Sequence, residues 1–312
     1  MRIGIDIMGG DYAPQKTVHG AILALNELPS DTKIVLFGRK SEILSELKHH
    51  NVSQNNFEII DCEDVISMGE HPTKAFKSKP NSSIAKGFEY LSKGLIDGFA
   101  SAGNTGAMFV GGYYSVKAIP GILRPGLSCA IPREDGGITV LLDVGANADC
   151  KPDVLYQFGI LGSLFSKHVC GIKNPKVSLL NLGKEKTKGN MLSQASYNMM
   201  ENNPDYNFIG NIEGRAIFDS ETDVIICDGF TGNIVLKQAE GIYSIMKKRG
   251  SLDEYFKRFN YENYGGTPIL GLNKTVIVGH GISNEIAIKN MITFTKDVVE
   301  AELTSKIKNH LN

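Results

Sequence analysis

Short runs of Ile, Val and Leu alternate along the chain with longer stretches in which apolar residues recur at helical spacing. The short runs are apolar along their whole length rather than at every second position. This pattern is typical of strands that are buried on both faces of a parallel sheet. Alternation of such strands with helices predicts βαβ units, and therefore an α/β fold with a doubly wound, mostly parallel sheet.

The pattern predicts eight strands and four helices with defined bounds. The strands are predicted at Arg2–Met8, Lys33–Phe37, Phe57–Asp61, Leu95–Ala100, Ile138–Val144, Lys176–Leu182, Asp223–Cys227 and Thr275–Gly279. The helices are predicted at Gln15–Leu28, Ser41–His50, Ile84–Lys93 and Ser283–Leu311. A helical pattern also follows the strands that begin at residues 138, 176 and 223.

Two proline-containing segments interrupt this alternation. Asp61–Ser83, which also carries several lysines, is predicted to be a long mobile loop. Ala118–Pro132 marks a candidate boundary between lobes. The length of 312 residues fits two lobes or one large α/β domain. We therefore expect one functional domain over residues 1–312, with two lobes.

Composition and charge narrow the function classes. The chain has 33 Lys+Arg against 34 Asp+Glu, and 42% of its residues are hydrophobic, which excludes a disordered chain and argues against a nucleic-acid binder. No secretory signal or membrane-spanning apolar stretch is evident. The five cysteines form no C-x-x-C pair, which argues against a disulfide scaffold or a zinc site. We expect a cytoplasmic protein that holds no metal.

Glycine is frequent, at 34 residues, and many of the glycines directly follow the predicted strands. The loops in question are Met8–Asp11, Ser101–Ala107, Asp143–Asn147, Asn181–Gly183, Asp228–Asn233 and Gly279–Asn284. The carboxyl ends of parallel strands meet at one sheet edge, where ligands bind. Backbone N–H groups at such helix starts suit an anion, most simply phosphate. The alternative is that Gly and Asn only make tight turns between strands and helices.

Several common chemistries lack their motifs. Gly279-x-Gly281 is followed by Asn284 where a dinucleotide fingerprint needs a third glycine, and no G-x-x-x-x-G-K-[ST] loop is present. There is also no G-x-S-x-G elbow and no H-E-x-x-H pair. These absences argue against dinucleotide, nucleoside triphosphate, serine hydrolase and zinc hydrolase chemistry.

The loops taken together resemble the phosphate acyltransferase family of bacterial phospholipid synthesis. The matching segments are I-D-I-M-G-G-D-Y-A-P at the start, S-A-G-N-T-G-A at 101–107, D-V-G-A-N-A-D-C-K-P at 143–152, G-K-E-K-T-K-G-N at 183–190, F-I-G-N-I-E-G-R at 208–215, C-D-G-F-T-G-N-I-V-L-K at 227–237, Y-G-G-T-P-I-L-G at 264–271 and G-H-G-I-S-N at 279–284. The resemblance spans nearly the whole chain in order, so it is more specific than any one loop.

The resemblance implies transfer of a long-chain acyl group from acyl carrier protein to inorganic phosphate, giving acyl phosphate. It implies a three-layer α/β/α fold with a cleft, similar to the phosphotransacetylases and the isocitrate/isopropylmalate dehydrogenases. It also implies a homodimer that needs no cofactor. Peripheral contact with the inner face of the membrane and a downstream membrane acyltransferase as a partner are further implications. The segment Gln238–Asn263 is shorter than in many members, which weakens the case for membrane contact.

The candidate site residues lie in the strand-end loops and match the family segments. The catalytic candidates are Asn104, Lys188, His280 and Asn233. The candidates for binding substrate or phosphate are Gly103, Thr105, Gly106, Asn147, Lys151, Asn190, Gly229, Gly232 and Ser283. Supporting carboxylates are expected at Asp6, Asp11, Asp143 and Asp228. A carrier-protein docking surface is expected at Lys74, Lys77, Lys79 and Lys86, whose alternative is a solvated lysine face.

The roles follow from what acyl transfer to phosphate requires. Asn and Lys side chains would hold the anion or the developing oxyanion, and His280 would donate to the oxyanion or protonate the departing thiol. The carboxylates would orient these groups. Two other functions stay open: a short-chain phosphotransacetylase that uses acyl-CoA, and a non-catalytic module that binds acyl carrier protein. A dehydrogenase of related architecture ranks last.

Overall fold

The structure, a computed structural model, describes residues 1–311 and divides the chain into two compact units. Unit 1 comprises Met1–Ile119 and Tyr261–Thr304, and unit 2 comprises Pro120–Asn260 and the chain from Ser305 onward. The first crossing between the units, after Ile119, falls inside the segment predicted as a lobe boundary. The cleft between two lobes stays a prediction.

The strands and helices of residues 1–311 are numbered along the chain. The strands are β1 (Arg2–Asp6), β2 (Lys33–Gly38), β3 (Glu58–Asp61), β4 (Gly98–Ser101), β5 (Gly126–Pro132), β6 (Ile138–Leu142), β7 (Lys176–Asn181), β8 (Asn207–Glu213), β9 (Val224–Ile226), β10 (Thr267–Leu270) and β11 (Thr275–Val278). The helices are α1 (Gln15–Leu25), α2 (Lys40–His49), α3 (Pro72–Ser78), α4 (Ser83–Ser92), α5 (Thr105–Gly111), α6 (Pro152–His168), α7 (Met191–Glu201), α8 (Gly229–Lys248), α9 (Glu254–Lys257), α10 (Glu285–Glu300) and α11 (Leu303–Leu311).

In unit 1 the strands lie in the order β3-β2-β1-β4-β11-β10. All neighbours are parallel except β10 and β11, which pair antiparallel. Helix α4 packs on β1, β2 and β4, whereas α10 packs on β1, β4 and β11 and against α1. Right-handed crossovers put these two groups of helices on opposite faces of the sheet, which gives three layers. Phe37, Phe88 and Phe99 are fully buried in edge-to-face contact within this core.

In unit 2 the strand order is β5-β6-β9-β7-β8. β6, β9, β7 and β8 run parallel, and β5 pairs antiparallel with β6. Helix α6 packs on β6, β7 and β9 and against α7. The predicted α/β class with a mostly parallel sheet is confirmed in both units.

Each of the eight predicted strands is present, with ends that differ by a few residues. β5, β8 and β10 were not predicted. β5 lies in the proline- and glycine-rich break, and β10 begins beside paired glycines. In β8, Gly210 and Asn211 interrupt the run of apolar residues. The prediction of one long loop over Asp61–Ser83 is wrong in part, since α3 begins there with Pro72, a residue favoured in the first turn. The predicted helix Ser283–Leu311 is two helices, separated at Glu302, whose φ is 50°.

Candidate functional site

The carboxyl ends of β1, β4 and β11 are neighbours in unit 1, and their loops contact each other. The backbone N–H of Asp11 donates to the carbonyl of Gly281 (2.7 Å), and that of Gly279 donates to the carbonyl of Ser101 (2.8 Å). A side chain at Gly10, whose φ is 110°, would lie within ordinary contact distance of Ala102. The predicted clustering of these three loops is therefore observed within unit 1.

The buried carboxylate of Asp6 holds this cluster of loops in place. Asp6 is 1% exposed; its Oδ2 accepts from the hydroxyl of Ser101 (2.6 Å) and its Oδ1 from the N–H of Met8 (3.0 Å). The Ser101 Oγ in turn accepts from the N–H of Gly103 (2.9 Å). Burial raises the pKa of Asp6, and the hydrogen bonds from Ser101, Ser83 and the backbone oppose that shift. Asp6 therefore fixes the loop after β4 through Ser101. The N–H of Gly103, a candidate for binding phosphate, is already hydrogen-bonded to Ser101.

Asn104 caps helix α5 and is anchored by three carbonyls. Its Oδ1 accepts from the N–H of Ala107 (2.9 Å). Its Nδ2 donates to the carbonyls of Ser67 (3.1 Å), Met68 (3.0 Å) and Glu70 (3.0 Å). The side chain is buried, so these bonds use its donor capacity, and the geometry assigns Asn104 a positioning role. Thr105 and Gly106 follow it in the first turn of α5, where amides lack helical acceptors.

The loop between β11 and α10 carries the remaining unit 1 candidates. The His280 ring lies 5.1 Å from the Tyr261 ring, and both are half-buried. Ser283 is buried, and its hydroxyl makes no hydrogen bond within residues 1–311. The Asp11 side chain is exposed near Gly281. Ser283 is thus a polar group of this loop whose hydrogen-bonding capacity is not met by the described chain.

In unit 2 the loop after β6 is organised around Asp143, which is fully buried. Its Oδ1 accepts from the N–H groups of Leu127 (3.0 Å) and Ala146 (3.1 Å). Its Oδ2 accepts from both the N–H (2.7 Å) and the Nδ2 (2.8 Å) of Asn147. Asn147 Nδ2 also donates to the carbonyl of Pro125 (2.8 Å). These bonds make Asp143 and Asn147 parts of the loop's framework.

Helix α8 begins beside this loop, and Asp228 caps its N-terminus. The Asp228 carboxylate accepts from the N–H (2.8 Å) and the hydroxyl (2.9 Å) of Thr231. Asn233, half-buried at the start of the second turn of α8, donates from Nδ2 to the carbonyl of Val144 (3.2 Å). The start of α8 is therefore tied to the loop after β6.

Gly229 and Gly232 allow the close approach between α8 and the loop after β6. A Cβ at Gly229 would lie 2.8 Å from the carbonyl oxygen of Asn147, and a Cβ at Gly232 would overlap the carbonyl of Asp143. The N–H of Gly229 donates to Asn147 (2.8 Å) and that of Gly232 to Asp228 (3.0 Å). Both amides are thus used within the chain, and these glycines serve packing.

Lys188 and Asn190 lie in the loop between β7 and α7. Asn190 caps α7 through its Oδ1, which accepts from the N–H of Ser193 (2.9 Å). Asn181, at the end of β7, donates from Nδ2 to the carbonyl of Lys188 (3.1 Å) and so holds the loop. Both Lys188 and Lys151, which precedes α6, are exposed, and their ammonium groups make no ion pair within residues 1–311. Sequence reasoning missed Asn181, although its place at a strand end was a usable signal.

A pocket of about 390 Å³ opens between the ends of β7 and β9 and the starts of α6, α7 and α8. Asn190, Asp228 and Thr231 are among its lining residues, and five leucines form much of the remaining wall. Cys227 also lines it, and burial raises the pKa of this thiol well above its usual range. Burial likewise raises the pKa of the nearby Cys150 to about 12. Both thiols are therefore protonated at neutral pH and make poor nucleophiles.

The structure divides the four docking lysines into two pairs. Lys74 and Lys77 are exposed on α3 and form no ion pair within residues 1–311. Lys79 is half-buried and donates to Glu70 (2.7 Å) and to the carbonyl of Val65 (2.8 Å). Lys86 forms an ion pair with Glu89 (3.0 Å), three residues further along α4. Only Lys74 and Lys77 present uncompensated charge.

Residues 1–311 offer neither a cluster of metal-ligating side chains nor a membrane-spanning helix. No group of three or more His, Cys, Asp or Glu side chains there is arranged to hold a metal ion. No helix there is both long enough and apolar enough to cross a bilayer.

Comparison with solved structures identifies the class of fold. The chain is similar to a phosphotransacetylase from Streptococcus pyogenes, with a TM-score of 0.68 and 19% identity over 96% of this chain and 94% of that one. It is also similar to a branched-chain phosphotransacylase from Enterococcus faecalis, with a TM-score of 0.63 and 12% identity over 96% and 99% of the two chains. The fold is thus the three-layer α/β fold of the phosphotransacetylases.

Sequence comparison identifies the family. Residues 1–306 match the family described as Fatty acid synthesis protein. The chain is 40% identical to the phosphate acyltransferase of Dictyoglomus thermophilum, over 100% of this chain and 98% of the relative. It is also 40% identical to that of Halothermothrix orenii, over 100% and 99%. The chain belongs to this family and is an acyltransferase whose acyl acceptor is phosphate.

Proposed function

We propose that this acyltransferase takes a long-chain fatty acyl group from acyl carrier protein and transfers it to inorganic phosphate, forming acyl phosphate for phospholipid synthesis. The observation that carries the proposal is the 40% identity, over the whole chain, to proteins named phosphate acyltransferase. The glycine-rich loops that carry the family segments also lie at the carboxyl ends of parallel strands in both units.

The reaction needs positioning and charge stabilisation more than covalent help. A phosphate oxygen attacks the thioester carbon, the carbon–sulfur bond breaks, and the thiolate leaves and takes up a proton. Phosphate is already a nucleophilic anion at neutral pH. The protein must therefore hold the anion, align it with the carbonyl and stabilise the oxyanion.

In unit 2, Lys188 is the proposed cation for phosphate. It is exposed without an ion-pair partner in the described chain, and it precedes the start of the eleven-residue helix α7, whose first turn contains no acid. The positive end of the helix dipole and the lysine charge act in the same direction. Lys151, Asn190 and Asn233 are proposed as further groups that hold the anion or the oxyanion.

In unit 1, Asp6 and Asn104 are proposed as positioning residues, because their polar atoms are bonded to the loops themselves. Asp11 and Ser283 are proposed to support the loop after β11. His280, in the same loop, is proposed to donate to the oxyanion or to protonate the departing thiol. The proposed roles of Asp6, Asp11 and His280 are those that the sequence predicts, whereas Asn104 and Ser283 change from groups that contact the anion to groups that support their loops.

The carrier protein is proposed to dock on the exposed face of α3. Acyl carrier protein is acidic, and Lys74 and Lys77 offer uncompensated positive charge there. Complementary charge of this kind speeds encounter and favours the correct partner.

A second copy of the chain is proposed to cover the apolar stripe of α8, giving a homodimer. Ile234, Ile242 and Ile245 are 49%, 44% and 59% exposed on this helix. Sedimentation should show a dimer, and a double Ile242→Asp, Ile245→Asp change should give a monomer.

A cytoplasmic location with peripheral contact at the inner face of the membrane is proposed as well. Vesicle binding that survives these changes would assign membrane contact to another surface.

The function is tested by trapping acyl phosphate as its hydroxamate. Purified protein is given phosphate and one of three donors: palmitoyl-acyl carrier protein, palmitoyl-CoA or acetyl-CoA. Product from the carrier-bound long chain, with little from acetyl-CoA, supports the proposal. Product from acetyl-CoA alone would assign the protein to short-chain phosphotransacetylases.

A further inference from the structure

We propose that the pocket of unit 2 holds the acyl chain of the donor, and that its leucines set the preferred chain length. This leucine pocket is lined on its apolar side by Leu155, Leu179, Leu180, Leu182, Leu192 and Val235. The inference rests on the proposed function and names a subsite for one part of its substrate.

The pocket has the size and lining of a ligand site. Its volume of about 390 Å³ lies within the range of roughly 300–1,000 Å³ that small-molecule pockets occupy. Leu155 and Leu179 are buried, which makes them a fixed floor. Leu180 and Leu192 are half-buried, and Leu182 is 72% exposed. The leucine surface therefore runs from the core outward to solvent, as an entering chain requires.

Several oxygen and nitrogen atoms of the polar side chains that line the pocket are already bonded within the chain. The Asp228 carboxylate is occupied by Thr231, and the Asn190 oxygen by Ser193. Asn181 donates to the carbonyl of Lys188 and accepts from the N–H of Leu182 (2.8 Å). A ligand rich in hydrogen-bonding groups would find few free partners here, and its buried polar atoms would be left unsatisfied. An alkyl chain makes no such demand.

The position of the pocket fits the chemistry of the donor. Its rim is the loop that carries Lys188, the proposed phosphate cation, and Asn181 links the pocket wall to that residue. The acyl chain is the strongly apolar part of the donor. Each buried methylene strengthens binding about fourfold, so a leucine-lined wall discriminates strongly by chain length.

The experiment narrows the pocket and measures activity against donors of graded length. Leu192→Trp and Leu182→Trp are assayed with octanoyl-, dodecanoyl- and palmitoyl-acyl carrier protein. Leu123→Trp is the matched control, because Leu123 is 50% exposed in the same unit and does not line the pocket. We expect kcat/KM for the palmitoyl donor to fall about tenfold relative to the octanoyl donor in the pocket variants, which corresponds to about two methylenes denied burial. The control should keep the wild-type ratio.

An equal loss for all chain lengths in both folded pocket variants would overturn the inference and would point to a site for the pantetheine arm instead. A second readout does not depend on turnover. Palmitoyl-acyl carrier protein with a diazirine at the end of the chain is photolysed on wild-type protein, and cross-links are mapped by mass spectrometry. Cross-links within residues 179–193 or 227–235 support the inference. Cross-links confined to unit 1 would overturn it, even if no acyl phosphate forms and the proposed function itself fails.

Discussion

Ser101 donates a hydrogen bond of 2.6 Å from its Oγ to the Oδ2 of Asp6, and both side chains are buried. The two residues lie at the carboxyl ends of the neighbouring strands β4 and β1. Since Ser101 also accepts from the N–H of Gly103, a displacement of Asp6 is passed directly to the loop that carries Asn104. One pair thus couples the first family segment to the second.

Asp6→Asn should change the pH dependence of stability. Because burial raises the folded-state pKa of Asp6 above its ordinary value of 3.8, the folded protein binds the proton more tightly than the unfolded chain does. The stability contributed by this group is fully present below the ordinary pKa and is lost as pH rises through the folded pKa. The free energy of unfolding of the wild type, relative to that of Asp6→Asn, should therefore fall as pH rises over that interval. Urea unfolding at a series of pH values measures it.

Asp97→Asn is the control for this measurement. Asp97 also accepts a backbone N–H, from Arg2 (2.7 Å), but it is exposed. It reports what the same substitution costs at an exposed carboxylate. A pH-independent difference for Asp6→Asn would show that the carboxyl keeps the same pKa in the folded and unfolded states.

Asn104→Ala should cost more than the loss of a helix cap. An ordinary cap is worth about 0.5–2 kcal/mol, but here the part-buried hydrogen bonds from Nδ2 to three carbonyls are lost as well, each worth about 0.5–1.5 kcal/mol. Turnover should fall roughly 10²-fold because the loop that positions substrate is released. Asn284→Ala is the stability control, since Asn284 caps α10 through a single bond to the N–H of Ala287 (3.0 Å). Equal unfolding free energies for the two variants would refute the anchoring role.

The same residue shows how far the sequence allows prediction. The apolar runs of β1 and β4 were found because each is buried on both faces, and the capping position of Asn104 follows from its place after a strand. The partners of its Nδ2 were not predictable, because they are the carbonyls of Ser67, Met68 and Glu70, in a segment predicted to be a mobile loop. Strand β8 was missed for a different reason: within residues 207–213 the apolar Ile209 is exposed and the polar Asn211 is buried, so periodicity does not reveal the strand.

Lys188→Ala should weaken the use of phosphate without weakening the fold. The ammonium group is exposed and pairs with nothing in the described chain, so the free energy of unfolding should change by less than about 0.5 kcal/mol. The KM for phosphate should rise and turnover should fall roughly 10²-fold. Lys184→Ala is the matched control, because Lys184 lies in the same loop but faces Glu221 at 3.5 Å. Lys188→Arg should restore part of the activity. Near wild-type kinetics for Lys188→Ala would remove this residue from the site.

Charge reversal should separate the two pairs of docking lysines. Lys74→Glu with Lys77→Glu should raise the KM for the carrier-bound donor several-fold and leave the KM for an acyl-CoA donor unchanged, because both side chains are exposed and only the carrier is a large acidic partner. The effect should weaken at high ionic strength, since salt screens exposed charges.

Lys79→Glu should behave differently, because it places a carboxylate against Glu70 and the carbonyl of Val65. In the wild type, the hydrogen bond from Lys79 holds the pKa of Glu70 below its usual range. Because the variant replaces this bond by repulsion between two carboxylates, it should lower the free energy of unfolding. The melting temperature therefore separates a structural lysine from a docking one. A double Lys74, Lys77 variant with an unchanged KM for the carrier-bound donor would return those lysines to an ordinary solvated face.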